Sequence, residues 1–309
     1  EIPGNGVDDD GNGYVDDVHG WNFVHDNNDP HDDHYHGTHC AGTVGAVGDN
    51  GVGVAGVAWN VRIVPLKVLN SQGYGDYSDI VPAIRYATQL GVDLTSNSWG
   101  GGGYTGYMKD AIDEADRQGI LFVAAAGNSS RDTDASPNYP SGYPCPNIIS
   151  VAAGDSSDGL ASFSNYGATS VDLAAPGVRI LSCYPGSRYA YASGTSMATP
   201  HVAGALAVLK GFRPEVNSAG LKEQLLNTVD TGGAFEGRVL TGGRLNLAAA
   251  LNAAENNEPP TAQDQSLIAD EDTDLEISLT ATDPENDPIT YTISEQPEHG
   301  TLSGTPPEL

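Results

Sequence analysis

Residues 92–128 read VDLTSNSWGGGGYTGYMKDAIDEADRQGILFVAAAGN, and this stretch decides the fold. A strand-like run over 92–98 is followed by an amphipathic stretch over 107–118, which Gly119 ends, and then by an apolar run over 120–126. The run ILFVAAA is apolar at every position, as a strand covered by helices on both faces requires. Strand, helix and strand in alternation predict a parallel sheet with right-handed crossovers. The fold class is therefore α/β.

The same alternation continues on both sides of this stretch. Residues 61–68 (VRIVPLKV) predict another strand, and residues 78–90 predict a helix that Ser78 caps and Gly91 ends. Ligands of such sheets bind beyond the carboxyl ends of the strands. Residues that follow the strands at 92–98 and 120–126 are therefore candidates for a functional site.

The composition changes near residue 255, which predicts a domain boundary. Residues 255–260 (ENNEPP) are typical of a linker. Beyond it, 275–279 (LEISL) and 289–293 (ITYTI) alternate as strands do. Too few residues remain for a β-sandwich of ~100 residues. We expect a first domain over 1–254, a linker over 255–261 and a partial β module over 262–309.

Charge and hydropathy exclude two kinds of partner. Acidic residues outnumber basic ones 41 to 13, for a formal charge of −28. This surface would repel a phosphate backbone, so we expect no nucleic-acid partner. No run of 18 or more apolar residues occurs, so we expect no membrane span. The 3 cysteines, Cys40, Cys145 and Cys183, allow at most one internal disulfide.

Three short motifs carry groups suited to acyl transfer. His36 opens HGTHCAG (36–42), Asn128 closes AAGN (125–128) after a buried strand, and Ser196 lies in GTSMATPH (194–201) at the start of an apolar helix. A serine hydroxyl needs a base to take its proton, and histidine titrates near neutral pH. An asparagine amide can donate to the oxyanion of a tetrahedral intermediate. Each motif alone is more often a cap, a structural histidine or a turn; the three together favour chemistry.

Together these motifs resemble those of the subtilase superfamily, the subtilisin- and proteinase K-like serine peptidases, over about residues 1–251. The resemblance implies a subtilisin-like parallel sheet flanked by helices and a serine endopeptidase that forms an acyl-enzyme. By position, Ser196 would be the nucleophile, His36 the general base and Asn128 an oxyanion donor. Ser98, Trp99 and Gly100 would pair with the substrate backbone, and the other expected substrate-binding residues are Gly127 and Gly73.

The resemblance also implies partners and a location. The substrates would be proteins or peptides, and a propeptide would lie upstream in the parent protein. We expect a secreted or cell-surface protein of bacterial origin. The C-terminal segment resembles the first half of a cadherin-like or immunoglobulin-like module, on the acidic turns at 270–272 and 283–288. Such a module would tether or present the enzyme.

One expected group is missing from the pattern. The family requires an aspartate at the end of an earlier strand, in an Asp-Thr-Gly or Asp-Ser-Gly setting, and no such motif precedes His36. The aspartates within reach do not follow an apolar strand; they are Asp8, Asp9, Asp10, Asp16, Asp17, Asp32 and Asp33. We expect the acid to lie upstream of residue 1 and the sheet to lack its N-terminal strand or strands. The chain would then be a truncated, near-inactive fragment.

Residues 8–17 predict a structural calcium site. Asp8, Asp10, Asn12 and Asp16 occupy positions 1, 3, 5 and 9 of an EF-hand-like loop, with Gly13 at position 6. Tyr14 would offer its carbonyl at position 7, and Asp17 would replace the absent Glu at position 12. The alternative is a solvated acidic turn without an ion.

Three other functions are consistent with parts of the sequence. A lipase-like hydrolase would place its histidine after the serine, whereas His36 precedes Ser196. A non-catalytic calcium-dependent adhesion protein would not need these groups. A zinc protease would place two histidines four apart on a helix with an adjacent glutamate, unlike the spacing of His31, His34, His36 and His39.

Overall fold

The computed structural model describes residues 1–256, 260–268, 273–284, 289–297 and 299–308. The chain forms two compact units, Glu1–Leu251 and Asn252–Leu309. The α-helices of the described residues are α1 (His36–Gly45), α2 (Tyr77–Leu90), α3 (Gly106–Arg117), α4 (Thr195–Phe212), α5 (Ser218–Asn227) and α6 (Leu247–Asn256). Their strands are β1 (Trp21–Asn22), β2 (Leu66–Lys67), β3 (Leu94–Asn97), β4 (Leu121–Ala125), β5 (Ile148–Gly154), β6 (Leu173–Pro176), β7 (Ile180–Tyr184), β8 (Arg188–Ala192), β9 (Asp230–Thr231), β10 (Gly243–Arg244), β11 (Thr261–Ala262) and β12 (Ala281–Thr282).

The first unit is built on a 6-stranded sheet in the order β3-β4-β5-β6-β10-β9. Neighbouring strands from β3 to β10 are parallel, and β9 pairs with β10 in the antiparallel direction. Strand β3 lies at one edge of this sheet. The parallel sheet predicted from residues 92–128 is confirmed.

Strand β4 has helices on both of its faces. Leu121 and Val123 belong to the core that α4 covers. Phe122 and Ala124 face the opposite core, formed with α2 and α3. All residues of β4 are buried, because successive side chains point to opposite faces and each face is covered. The uniformly apolar run therefore has the structure that it predicts.

Local signals set the ends of α2 and α3. Thr105 caps α3 by accepting a hydrogen bond from the Tyr107 amide at 3.3 Å. Gly91 ends α2 in the left-handed conformation, with φ of 67°. The cap predicted for α2 is wrong by two residues. Asp76 holds the cap position, and Ser78 lies inside the first turn.

The strand predicted over 61–68 is mostly absent. Only Leu66–Lys67 is a strand, paired in parallel with Trp21–Asn22. Residues 61–65 form no strand, and Ile63 and Val64 are exposed. An apolar run gives a segment a preference for extended backbone, but a strand forms only where another strand supplies hydrogen bonds.

Helix α1, helix α4 and the β7–β8 hairpin form a packed group beside the sheet. Helix α1 packs against both α4 and β7. The buried His39 of α1 has its Nε2 3.1 Å from the Ile180 carbonyl oxygen and 3.2 Å from that of Ala190. The His39 side chain therefore attaches both strands of the hairpin to α1.

In the second unit, β11 and β12 form a 2-stranded antiparallel sheet. The strands predicted over 275–279 and 289–293 are wrong: neither range is a strand, and Ser278 forms only an isolated bridge with Glu308. Helix α6 reaches Asn256, so the predicted linker is helical at its first two residues. Residues 257–259 of that linker, and the acidic turns at 270–272 and 285–288, lie outside the described residues.

Candidate active site

Asn128 follows β4 and points its amide at the start of α4. Its Oδ1 accepts hydrogen bonds from the backbone amide of Thr195 at 2.8 Å and from the Thr195 hydroxyl at 3.0 Å. The Thr195 amide can only donate, so its contact fixes which end of the Asn128 amide carries oxygen. The Asn128 Nδ2 donates to no protein acceptor in the described structure.

Ser196 lies in the first turn of α4, where backbone N–H groups have no partner within the helix. A side-chain carbon built at Gly194 would be 3.6 Å from both Asn128 Nδ2 and the Ser196 amide nitrogen. Within the described part of the chain, neither nitrogen donates to a protein acceptor. The two donors therefore lie near one point at Gly194, two residues before Ser196, and two adjacent donors are what an oxyanion hole needs.

The hydroxyl of Ser196 contacts the residue that follows β3. It donates to the Ser98 carbonyl oxygen at 3.1 Å, and the Ser98 hydroxyl donates to the Ser196 carbonyl oxygen at 2.8 Å. Neither contact involves a base. Catalytic hydrogen bonds are often loose without substrate, so this geometry is compatible with a nucleophile at rest.

His36 is the first residue of α1, the helix that packs on α4. Cys40 lies one turn later, and its Sγ donates to the Ser196 carbonyl oxygen at 3.4 Å. Residues four apart lie on one face of a helix, so His36 is on the face that meets the Ser196 turn. Burial is the main cause that lowers the pKa of His36, and the neighbouring His34 lowers it further. The imidazole is therefore neutral, as a base must be, to lower pH than an exposed histidine.

Asp32 lies close to His36 in sequence but serves α1. Its Oδ2 accepts from the Thr38 amide at 2.8 Å and from the Thr38 hydroxyl at 2.6 Å, and its Oδ1 accepts from the His34 amide at 2.9 Å. Burial alone would raise the pKa of Asp32, but these hydrogen bonds outweigh it and lower the pKa. Among the described residues, no carboxylate is hydrogen-bonded to His36.

Of the residues expected to bind substrate, Ser98 bonds to Ser196 and Gly127 bonds to Thr195. Ser98, Trp99 and Gly100 directly follow the edge strand β3, and the Trp99 ring meets Phe122 edge-on at 6.4 Å. Gly127 has φ of +104°, and a side-chain carbon there would lie 2.4 Å from Asn165 Nδ2, so only glycine fits. Gly73 lies beside the ring of His34. A side-chain carbon built at Gly73 would be 3.4 Å from the His34 Cε1 atom.

Thr195 is a functional residue that the sequence reasoning missed. Its hydroxyl accepts a hydrogen bond from the Gly127 amide at 3.1 Å and donates to Asn128 Oδ1. It therefore joins the segment after β4 to the first turn of α4. One indication of this role was present in the sequence, since Thr195 directly precedes Ser196 in the motif over 194–201.

Comparison with known proteins agrees with this geometry. The model of the Subtilase family matches residues 4–265. The chain belongs to the subtilase family.

Named relatives of this subtilase are serine peptidases of bacteria. It is 44% identical to Subtilisin DY of Bacillus licheniformis over 212 residues, which are 68% of the chain and 76% of that protein. It is 41% identical to thermitase of Thermoactinomyces vulgaris over 213 residues, 69% of the chain and 74% of that protein. A thermophilic serine proteinase of Bacillus sp. (strain AK1) is 46% identical over 192 residues, 62% of the chain, which span only 46% of that relative.

Solved structures agree on the fold of the subtilase. A crystal structure of a cold-adapted subtilisin-like serine proteinase matches with a TM-score of 0.63 and 34% identity, covering 74% of this chain and 78% of that one. The subtilisin-like α/β fold and the assignment as a serine peptidase are therefore confirmed. A Bacterial Ig domain model matches residues 257–308, which confirms an Ig-like module at the C-terminus. No helix in the described ranges is long and apolar enough to cross a membrane.

The acidic loop of the subtilase gathers carboxylates, but not the full predicted set. Ligand oxygens of Glu1, Asp8 and Asp10 all lie within 4.8 Å of one another. Asp8 also accepts hydrogen bonds from the amides of Gly11, Asn12 and Gly13, which closes the loop around its carboxylate. Glu1, which the sequence reasoning did not propose, has a buried Oε2 without a hydrogen-bond partner in the described structure.

Asp16 and Asp17 have hydrogen-bond partners outside this cluster. Asp16 accepts from the amides of Asn5 and Gly6, and Asp17 accepts from the Tyr86 hydroxyl at 2.5 Å. The Tyr14 ring packs edge-on against aromatic neighbours, and the Tyr14 carbonyl stays a predicted ligand. Asn12 does remain at the loop, where its Nδ2 donates to Asp10 Oδ2 at 3.3 Å and Asp17 Oδ2 at 2.8 Å. Asp16 and Asp17 are thus outside the carboxylate cluster of the described residues, because tertiary partners take their oxygens.

Proposed function

We propose that this subtilase is an endopeptidase that cleaves proteins through an acyl-enzyme, with Ser196 as nucleophile, His36 as general base and Asn128 as oxyanion donor. The observation that carries the proposal is the convergence at Gly194: Asn128 Nδ2 and the Ser196 amide both lie 3.6 Å from one point beside it. Two unpaired donors beside a serine hydroxyl fit the negative oxygen of a tetrahedral intermediate.

Each residue has one task in this mechanism. The Ser196 Oγ attacks the carbonyl carbon of the peptide bond while His36 takes its proton. The oxyanion that forms accepts hydrogen bonds from Asn128 Nδ2 and the Ser196 amide. His36 returns the proton to the leaving amine, the C–N bond breaks, and the acyl group stays on Ser196. Water, deprotonated by His36, then releases the second product.

The substrate would extend along the free edge of β3. Ser98, Trp99 and Gly100 continue that edge, and an extended peptide can add to it as a further strand. Gly127 and Gly73 would let the substrate backbone approach closely, because neither carries a side chain. The roles of these residues remain part of the proposal.

We also propose that residues 1–309 alone react slowly, because no carboxylate among the described residues orients His36. Loss of that acid from a serine-protease triad lowers kcat by roughly 10⁴, or about 5 kcal/mol. The oxyanion donors and the nucleophile would leave measurable residual reactivity.

A serine-directed fluorophosphonate tests both proposals. We expect slow labelling of residues 1–309 that mass spectrometry maps to Ser196 and that Ser196→Ala abolishes. A longer chain that supplies a carboxylate to His36 should be labelled faster by at least about 10²-fold. His36→Ala in the longer chain should remove that gain.

Two results would contradict these assignments in different ways. Labelling that survives Ser196→Ala would exclude Ser196 as the nucleophile. Full proteolysis of casein by residues 1–309 would instead leave the nucleophile in place and remove the claim of low reactivity.

The cluster of Glu1, Asp8 and Asp10 would hold a structural Ca²⁺. Three carboxylates within 4.8 Å repel one another without a cation, and oxygen ligands suit a hard ion. The unpaired, buried Oε2 of Glu1 supports the fit. When bound, the ion would neutralise this charge and stabilise the loop; it would have no part in catalysis.

The remaining proposals concern organisation and location. We retain a peptidase domain over about 1–254, a short linker from 255 to 261 and an Ig-like module over 262–309. The bacterial sources of the named relatives support a secreted or cell-surface bacterial enzyme. The Ig-like module would then attach or present the peptidase.

A further inference from the structure

An aromatic pocket opens beside the catalytic residues. It has a volume of about 600 Å³. One wall is Tyr35 and the other is the β7–β8 hairpin with the residue that follows it; the lining includes Tyr35, Tyr184, Arg188, Tyr189, Tyr191 and Ser193. The Tyr35 and Tyr184 rings stack at 5.2 Å with an angle of 18°, which gives the pocket a flat, rigid wall.

The pocket lies next to the general base. Tyr35 directly precedes His36, and Ser193 lies three residues before Ser196. The hairpin packs on α1, the helix that carries His36, whereas β3 packs on α4. His36 protonates the leaving amine. The substrate residues after the scissile bond therefore lie on the side of the cleft that contains His36. The pocket is therefore on the leaving-group side of the cleft.

Arg188 gives this pocket a positive charge. Its guanidinium carbon lies 5.0 Å from the centre of the Tyr184 ring, and its Nε donates to the Pro185 carbonyl oxygen at 3.0 Å. These two contacts place the guanidinium over the Tyr184 ring, and the residue as a whole is exposed, so its charge is accessible to a ligand.

The charge of Arg188 is unpaired within the described structure, although acidic residues outnumber basic ones 41 to 13. Some cations of the described residues have carboxylate partners, such as Lys67 with Asp33 and Arg244 with Asp158 and Asp230. Arg179 and Arg238 resemble Arg188 in that they stack on tyrosine rings, but of these three only Arg188 lines the pocket. An ordered guanidinium without a carboxylate partner, in a pocket rich in tyrosine hydroxyls, suits an incoming carboxylate.

We propose that Arg188 and the Tyr35–Tyr184 wall form a subsite for a substrate carboxylate on the C-terminal side of the scissile bond. This inference rests on the proposed endopeptidase function and adds a preference to it. The carboxylate would come from an Asp or Glu side chain or from a nearby free C-terminus. The planar guanidinium would bind it in a bidentate manner, and the tyrosines would exclude water around the pair.

Cleavage of matched peptides tests the subsite. All peptides would be internally quenched and would share the same sequence before the scissile bond. The peptides of each Asp/Asn pair would have an amidated C-terminus and would carry either Asp or Asn at one position, the first, second or third residue after that bond. A further pair, free or amidated, would end at the third residue. We expect kcat/KM for at least one acidic peptide to exceed that of its neutral partner by roughly threefold to fivefold. Arg188→Gln should bring that ratio to about one, and 1 M NaCl should reduce it.

Arg238→Gln is the matched control, since its guanidinium also stacks on a tyrosine, at 4.3 Å from the Tyr166 ring centre, but does not line the pocket. It should keep the ratio. Equal cleavage of every acidic and neutral pair, or an acidic preference that survives Arg188→Gln, would overturn the subsite.

Binding separates this inference from the proposed chemistry. Fluorescence anisotropy of the same labelled peptides with the Ser196→Ala chain needs no turnover, and we expect the same Arg188-dependent preference. If the longer chain that supplies an acid to His36 cleaves no peptide but that preference is measured, the endopeptidase proposal fails and the subsite stands. If peptides are cleaved and neither assay distinguishes acidic from neutral, only the subsite fails.

Discussion

Around Ser196, the proposed nucleophile, single hydroxyl groups hold the proposed oxyanion donors in place. Thr195 links Gly127 to Asn128 through one oxygen, and Ser98 and Ser196 exchange hydrogen bonds across the cleft. Such contacts matter because an oxyanion donor must be preorganised before charge develops. Thr195 acts through Asn128 and is a positioning residue.

Thr195→Val should slow acylation of Ser196 by about tenfold without loss of fold. The isosteric valine removes the hydroxyl that orients Asn128, and this should cost less than the 10²–10³ expected for losing the donor itself. The measurement is the second-order rate of fluorophosphonate labelling.

The control for this substitution is Thr199→Val, one turn later in α4. The Thr199 hydroxyl donates only to the Thr195 carbonyl oxygen, at 2.9 Å. Equal labelling rates in the two variants would show that Thr195 does not position Asn128.

Among the elements, the contact between α1 and α4 determines whether His36 can reach Ser196. Gly204 of α4 makes this close approach possible. A side-chain carbon at Gly204 would lie 2.7 Å from the Val57 Cβ and 3.2 Å from the carbonyl oxygen of Val44, a residue of α1. The Val44 oxygen is a backbone atom, and the Val57 Cβ is bonded directly to the backbone. Neither atom can move unless the backbone moves.

Gly204→Ala should destabilise the peptidase unit by roughly 1–3 kcal/mol, because overpacking outweighs the helix preference of alanine. Gly211→Ala, in the same helix with no atom within 4 Å, should instead be neutral or stabilise by up to about 1 kcal/mol. Urea unfolding followed by tryptophan fluorescence measures this unit alone, since Trp21, Trp59 and Trp99 all lie within Glu1–Leu251. Equal effects of the two alanines would contradict close packing at Gly204.

Over the whole molecule, the charge of −28 is the dominant electrostatic fact. Charge of one sign destabilises the compact state through self-repulsion. The Glu1, Asp8 and Asp10 cluster concentrates part of that repulsion at one place. A bound cation would relieve it there, and its effect on stability should exceed that of general screening by salt.

Calcium should therefore raise the unfolding temperature more than NaCl of equal ionic strength. Saturation at about 100 times Kd corresponds to about 2.7 kcal/mol. Asp10→Asn should remove most of the calcium-specific gain. Asp9→Asn should retain it, because Asp9 bonds Ile2 and Asn5 instead of joining the cluster. Calorimetry with identical calcium shifts in both variants would exclude the site.

Local signals explain which predictions were correct. The apolar run of β4 and the stop at Gly91 act within a few residues, so they could be predicted from the sequence. Residues 61–68 carry an equally apolar pattern, yet only Leu66–Lys67 finds a partner strand. The same holds for residues 275–279 and 289–293. Their alternating pattern would give a strand one apolar face, but it does not provide a partner strand to pair with.

The sequence by itself determined the α/β order of the elements, the family and the motifs that contain His36, Asn128 and Ser196. Periodicity, caps and contiguous motifs are properties of neighbouring residues, and they survive without a fold. The tertiary structure alone decided that Thr195 orients Asn128, that Asp32 caps α1, and that Glu1 rather than Asp16 joins Asp8 and Asp10. Each of these three contacts depends on which oxygen atoms and donors the fold brings together from distant parts of the chain. The order of residues alone does not specify those contacts.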